Sequence, residues 1–469
     1  MNRFLILLLA TLLGGLIVTV QLVRKRRAVL FDCVDVASWL YLVLFVLIPV
    51  YLQLADLSAA QDTEWRWIFR TPFANNAFVF ASLIALIGYP LILFGVRGAD
   101  ALLATIARFK HAPRGIVNDQ SARGDLLIAG LLLLGVGVLA LGIYIWSIGG
   151  VRPFFVEALL FRGTDPPVVS RLAFLKNVSY ALLGASYCFH AINAGASSRV
   201  RPVMISLLFG LAFGLSLIHL YHAAGRLPLV AFVATFPLTA MVQKAKWAWR
   251  TIMLLGVAGL GIILFGKELF FPRQAAELLA SRWETVGNDA SRVIGDVAIE
   301  FSFPYVTLAN TTLIVPQESP YRMFVDFPLA AQYLVPQRVF GVTHAPMASM
   351  VNTELLNGGG SGTIPVDILS FGYFSAGVVG VVFVTLFLGF LFGLSEVLFQ
   401  GSTGTVFRVS LTLFLGFRVM YGDPSLAAQS GFYLIMTTGL LLALGFVRRV
   451  LTREPDYVVI TAHVPLVSD

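Results

Sequence analysis

Phe4-Leu5-Ile6-Leu7 opens twenty uncharged residues that run to Val23 and stop at Arg24-Lys25-Arg26-Arg27. A helix rises 1.5 Å per residue, so twenty residues match the ~30 Å hydrocarbon core of a bilayer. No small-x-small cleavage site precedes the basic cluster. The stretch therefore reads as a retained first span, with its basic flank on the cytoplasmic side and the N-terminus outside. That one stretch makes the chain a membrane protein and sets the phase of everything after it.

The rest of the chain agrees. Of its 469 residues, 58% are hydrophobic and 12% charged, and the mean hydropathy is +0.84. Soluble domains carry about 25% charged residues, which argues against a large soluble enzyme. The net charge of +8 is better explained by basic cytoplasmic loops than by nucleic acid, so no nucleic-acid partner is expected. Two cysteines, Cys33 and Cys188, lie in or beside apolar runs and imply neither a disulfide framework nor a cysteine metal site.

Ten further apolar runs follow: Val34–Leu54, Ala77–Val96, Leu126–Ile148, Leu172–Asn193, Val203–Tyr221, Leu227–Val242, Thr251–Phe271, Val366–Phe392, Val409–Met420 and Leu426–Phe446. Basic residues alternate with them as the positive-inside rule requires. Arg97, Arg108, Lys110, Arg114 and Arg123 mark one inside loop, and Arg448, Arg449 and Arg453 mark the tail. The expected fold is an all-α polytopic membrane protein of about eleven transmembrane helices. Its domains are 1–270 with helices one to eight, a large outside loop at 271–364, helices nine to eleven over 365–446, and a cytoplasmic tail at 447–469.

The 271–364 loop is the long polar interruption. Gln274–Trp283, Ala290–Glu300 and Phe324–Leu334 read as short helices within it. Its apolar content suits a structured cap lying on or in the outer leaflet. It holds Arg273, Arg282, Arg292, Arg322 and Arg338, and no lysine. Shorter outside turns add Arg152, Arg162, Arg171 and Arg226. Arginine's rigid donor fork matches phosphate oxygens bidentately. The set points to an anionic lipid head, a diphosphate above all, against the plainer alternative of carboxylate pairing. Arg226 is the best single candidate, because it sits in a tight turn between two spans where a charge is costly unless paired or used. His344 follows Arg338 by six residues and could act as a base or donate to phosphate. His219 and His222 have ligand spacing, but no nearby Asp or Glu completes a metal set. No phosphate-binding glycine loop or hydrolase motif occurs in a fitting context, and charges within the spans are too few for an ion relay.

Tyr321-x-x-Phe324, Val335-Pro336-Gln337-Arg338, the glycines from 358 to 362, and Phe371-Gly372-Tyr373-Phe374 with Gly377 and Gly380 together resemble the Wzy-type O-antigen polymerases and oligosaccharide repeat-unit polymerases. Ala224-Gly225-Arg226 fits the same pattern. Gln337 interrupts a Pro-Arg pair common in that family, Phe371-Gly372-Tyr373 reorders its aromatic-glycine motif, and the lysine often found after the pair is replaced near His344. The resemblance covers about Ser216 to Phe390. It implies a GT-C-like glycosyltransferase of the bacterial inner membrane with its large loop in the periplasm, independent of metal and cofactor. Its substrates would be undecaprenyl-diphosphate-linked oligosaccharides, with a chain-length regulator as a further partner. Arg226, Arg338 and His344 would be catalytic. Arg162, Arg171, Arg282, Arg292, Arg322, Tyr321 and Glu354 would bind diphosphate or glycan. His344, Glu300 and Glu354 all remain candidates for the base. An O-antigen ligase of the same broad fold and a lipid or sugar transporter are the competing expectations.

Overall fold

The structure is a computed structural model. It describes residues 1–25, 31–54, 76–108, 122–160, 172–194, 202–223, 226–245, 248–269, 295, 298, 301–341, 345–357, 364–399 and 404–452. Helices and turns account for the ordered elements, and no strand occurs among the described residues. The N-terminal half contributes α1 (Asn2–Lys25), α2 (Cys33–Leu54), α3 (Asn76–Arg108), α4 (Ala122–Ser147), α5 (Val151–Leu160), α6 (Leu175–Ser179), α7 (Ala181–Ala194), α8 (Pro202–His222), α9 (Arg226–Val242) and α10 (Ala248–Leu269). Then come α11 (Phe303–Ile314), α12 (Asp326–Gln332), α13 (Gln337–Phe340), α14 (Ala348–Asn357), α15 (Ile368–Leu398), α16 (Thr405–Phe417), α17 (Pro424–Ser430) and α18 (Phe432–Thr452).

Among the described residues, six helices are long and apolar enough to cross a membrane: α1, α2, α3, α4, α8 and α15. The pair α17 and α18, bent by 61°, makes a seventh if taken as one broken span. Of the other expected spans, Thr251–Phe271 is met by α10, of 22 residues, whereas Leu227–Val242 and Val409–Met420 are met by α9 and α16, of 17 and 13 residues. Leu172–Asn193 is divided into α6 and α7 around Tyr180, where Lys176, Asn177 and Ser179 dilute its apolar character. Helix α2 passes through a π-helical turn at Val43–Leu47. Pro49 lies just beyond and has no N–H to give to the carbonyl four residues back, which loosens the ladder there.

The chain alternates between two ends of the bundle. At one end Arg24 pairs with Asp32 and Asp35, Cys33 N donates to Glu396 at 3.1 Å, and Arg408 pairs with Glu396. At the other end Asn2 donates to Asn76 at 3.0 Å and Tyr305 of α11 donates to the Phe78 carbonyl at 3.0 Å. All of the described part of 301–367 gathers at this second end, called the loop end below.

Two apolar cores run side by side. One joins α1, α2, α3, α11 and α15, and the other joins α4, α7, α8, α9, α16 and α18. Helix α16 belongs to both, through Leu415 on one side and Phe407 on the other. Helices α3 and α15 meet backbone to backbone. A Cβ on Gly95 would lie 2.8 Å from Phe390 N, and one on Gly389 would lie 3.0 Å from Gly95 Cα. Lipid tails are as apolar as leucine, so close backbone approach replaces hydrophobic drive as the source of helix attraction in a bilayer.

Within 271–364 the structure differs from a simple cap. Phe303–Ile314 forms α11, buried along nearly its whole length between α3 and α15. Pro304 suits a helix start, and twelve residues are too few to cross. Of the helices expected in the loop, Phe324–Leu334 is met by the shorter α12, whereas Gln274–Trp283 and most of Ala290–Glu300 lie outside the described residues.

Candidate functional site

The loop is fastened to the bundle at a break in α15. Ala376 and Gly377 leave helical geometry there, Gly377 with φ 61° and ψ −144°. A break strands carbonyls that the helix would have bonded. The loop supplies the missing donors: Arg322 N donates to the Phe374 carbonyl and Met323 N to the Ser375 carbonyl, both at 2.9 Å. Only glycine tolerates the Gly377 conformation readily. The Tyr321 hydroxyl stands 3.1 Å from where a Cβ would project. Tyr321 and Arg322, chosen from sequence, thus come together at the broken helix.

The Arg322 guanidinium is engaged by protein. Its Nε and Nη2 donate to the two oxygens of Asp326 at 2.8 and 2.7 Å, and Nη2 also donates to the Pro346 carbonyl at 3.0 Å. Asp326 is fully buried. The pair closes the turn from Tyr321 to α12 and ties it to the chain after His344. Tyr333 donates to the Ala345 carbonyl at 2.8 Å, and partial burial pushes its phenol above the ordinary value, so it remains a donor.

A second fastening joins the loop to the turn between α16 and α17. Ser349 donates to Asp423 Oδ2 through its backbone N–H at 2.9 Å and its hydroxyl at 2.8 Å. Ser425 N donates to Asp423 Oδ1 at 2.8 Å. Gly422 N donates to the Val366 carbonyl at 2.6 Å, and Ile368 N to the Val419 carbonyl at 3.3 Å. Asp367 then caps α15 by accepting from Leu369 N and Ser370 N. The turn at 418–423 is therefore bound to the start of α15 on one side and to α14 on the other.

That turn carries Arg418, which sequence reasoning missed. Arg418 lines a partly open cavity of about 50 Å³ between α7, α8, α9, α16 and the α17–α18 bend. Its Nε donates to the Phe414 carbonyl at 3.3 Å, closing the end of α16, and its guanidinium lies 4.6 Å from the centre of the Phe414 ring. Its Nη1 is sealed from solvent and has no hydrogen-bond partner among the described residues. A buried donor left unmade costs about 1–3 kcal/mol, and more on a charged group. Tyr180, Tyr187, Tyr433 and Ser410 contribute hydroxyls to the lining, and no Asp or Glu belongs to it. The signal was present in the sequence: an arginine inside the apolar run Val409–Met420 is an intramembrane charge, which is rarely without a use.

The other sequence candidates fall as follows. Arg226 is the first residue of α9, and Pro228, two residues on, lines the Arg418 cavity. Arg338 lies in α13. Glu354 is exposed on α14. His344, Arg162, Arg171, Arg282, Arg292 and Glu300 lie outside the described residues. His219 and His222 do share one end of α8, but in aromatic surroundings. His219 Nδ1 meets the Ser179 hydroxyl at 3.0 Å, and His222 stacks on Phe154 at 3.9 Å. Among the described residues no group of three His, Cys, Asp or Glu side chains could hold a metal ion. No family model, curated protein or solved structure matches the chain.

Proposed function

We propose that the chain is a bacterial inner-membrane glycosyltransferase that joins lipid-diphosphate-linked oligosaccharide repeat units, with about eleven spans and the loop end facing the periplasm. One observation carries the reading. Arg226, singled out by its turn between two spans, begins the helix whose third residue, Pro228, walls the cavity holding Arg418. The backbone that bears Arg226 thus leads into the wall of the cavity that Arg418 lines. The sequence resemblance supplies the reaction.

In that reaction an acceptor hydroxyl attacks the anomeric carbon of the donor chain. The C–O bond to the lipid diphosphate breaks, the diphosphate takes the electron pair, and a base takes the hydroxyl proton. Arginines fixed in place can stabilise the developing charge because their donors need no rearrangement. Arg226 and Arg338 would serve in this way. His344, Glu300 and Glu354 are the candidates for the base.

The test uses purified full-length protein and lipid-linked repeat units with no other protein present. Wild type is expected to yield ladders of increasing length. Arg226→Ala and Arg338→Ala should remain folded in the membrane and leave single repeats, with rates down about 10²–10³-fold if each removes a charge-stabilising donor. Ladders of normal length from both variants would sink the proposal. Movement of the lipid-linked units across the bilayer without any joined product would make the protein a transporter.

A further inference from the structure

We propose that the Arg418 cavity is a binding site for a phosphate or diphosphate group. The assignment concerns binding alone and stands whether or not glycosyl transfer follows. Three features carry it. Arg418 Nη1 is buried and unpartnered, although its Nε already closes α16. A guanidinium held in that way presents a fixed donor, and fixed forks of donors suit phosphate oxygens.

The lining adds hydroxyl groups and no acid. Tyr187, Tyr433 and Ser410 neighbour one another through their hydroxyls, and the carboxylates that would repel an anion are missing from the walls. The nearest acid on the same turn, Asp423, has both oxygens engaged by Ser349 and Ser425. The arginine is therefore balanced by no carboxylate within ion-pair distance among the described residues, and an incoming anion would complete it.

Size and walls narrow the ligand further. About 50 Å³ exceeds the ~10–15 Å³ that a single ordered water needs, so the cavity has room for a larger polar group. Leu183, Phe232 and Phe414 make the remaining wall apolar. Such a mixture suits a phosphorylated headgroup, while a free diphosphate would offer the same oxygens without the chain.

The experiment measures binding by full-length protein in nanodiscs. The probes are a C55 polyprenyl diphosphate, the same polyprenol without phosphate, and inorganic pyrophosphate. Wild type should hold the lipid diphosphate at least about tenfold tighter than the polyprenol. Arg418→Ala should lose about tenfold or more, and Arg418→Lys should fall between, because a point charge replaces the fork. Ala231→Leu adds bulk to the lining while keeping the arginine in the chain, and should weaken binding similarly. Pyrophosphate held as tightly as the lipid diphosphate would name the free anion as the ligand and uphold the site. Affinity for polyprenol equal to that for its diphosphate, or no binding of either diphosphate, would overturn it. So would wild-type affinity in a folded Arg418→Ala. If Arg418→Ala is not recovered folded, Ala231→Leu decides alone. Failure of transfer would appear as missing ladders with diphosphate binding intact, so the two proposals fail separately.

Discussion

Arg322→Ala removes the guanidinium that meets Asp326 at 2.8 and 2.7 Å and the Pro346 carbonyl at 3.0 Å. Asp326 has no solvent exposure and the Arg322 side chain has 14%. Water therefore cannot replace the lost donors. Removing one partner of a buried pair leaves an uncompensated charge and costs about 3–5 kcal/mol. The same i,i+4 pair on an open surface would be worth only about 0.3–0.5 kcal/mol. The two figures differ by an order of magnitude, so one experiment separates them. Cys33 and Cys188 are both free and buried, so their labelling by a thiol-reactive dye on heating reports unfolding in detergent. Arg322→Ala should lower the midpoint far more than Glu354→Ala, which alters an exposed side chain. The double replacement Arg322→Met/Asp326→Leu should recover most of the loss, since an apolar pair has no charge to strand. An Arg322→Ala midpoint no lower than that of Glu354→Ala would refute the reasoning. So would a double variant less stable than Arg322→Ala.

Three further outcomes are expected. Gly389→Leu should cost about 1–3 kcal/mol or more by forcing α3 from α15, and in single-cysteine variants Cys33, which belongs to that core, should label before Cys188, which belongs to the other; simultaneous labelling contradicts this. Gly377→Ala should cost about 1–3 kcal/mol because its backbone conformation is nearly closed to other residues, and a melting midpoint equal to wild type would show that the break in α15 is not held. Asp423→Ala removes the acceptor for Ser349 and Ser425 and should cost about 1–3 kcal/mol per stranded buried donor. Asp423→Asn, which keeps one acceptor oxygen, should be milder, and equal melting midpoints for the two variants would argue against the hydrogen bonds as the cause.

Hydropathy made the membrane character legible because it is written in every long run. Arg24 and the stretch from Glu396 to Arg408, expected on one side of the bilayer, do meet at one end of the bundle. What escaped was set by polar residues in apolar surroundings. Thr307, Asn310 and Thr311 lower the hydropathy of α11, so a buried helix reads as loop. Lys176 and Asn177 sit where an unbroken span was expected, and the helix breaks beside them. Arg418 lay within an expected span, and only the packing of α7, α8, α9, α16, α17 and α18 around it reveals a cavity. Arg322 shows the opposite limit: sequence identifies a guanidinium beside aromatic residues but cannot tell that Asp326, four residues on, already holds it.

The loop and the turn that bears Arg418 are tied together through α15. The turn at 418–423 has no long helix of its own to fix it. It is held by Gly422 and Val419 against the start of α15, and by Asp423 against α14. The loop in turn is held at the α15 break by the amides of Arg322 and Met323. Helix α15 is therefore bonded at its first residue to the turn that bears Arg418, and two turns later to the stretch that bears Arg322. A displacement of the loop pulls on the break in α15, and a displacement of the turn pulls on its cap. If an anion bound at Arg418 tightens the turn, it should protect the amides of Arg322 and Met323 from hydrogen exchange, although they lie on a different part of the chain. The Ser349→Ala/Asp423→Ala variant cuts the α14 fastening and should reduce that protection. Protection of Arg322 and Met323 unchanged by the lipid diphosphate, in a protein shown to bind it, would separate the loop from the cavity.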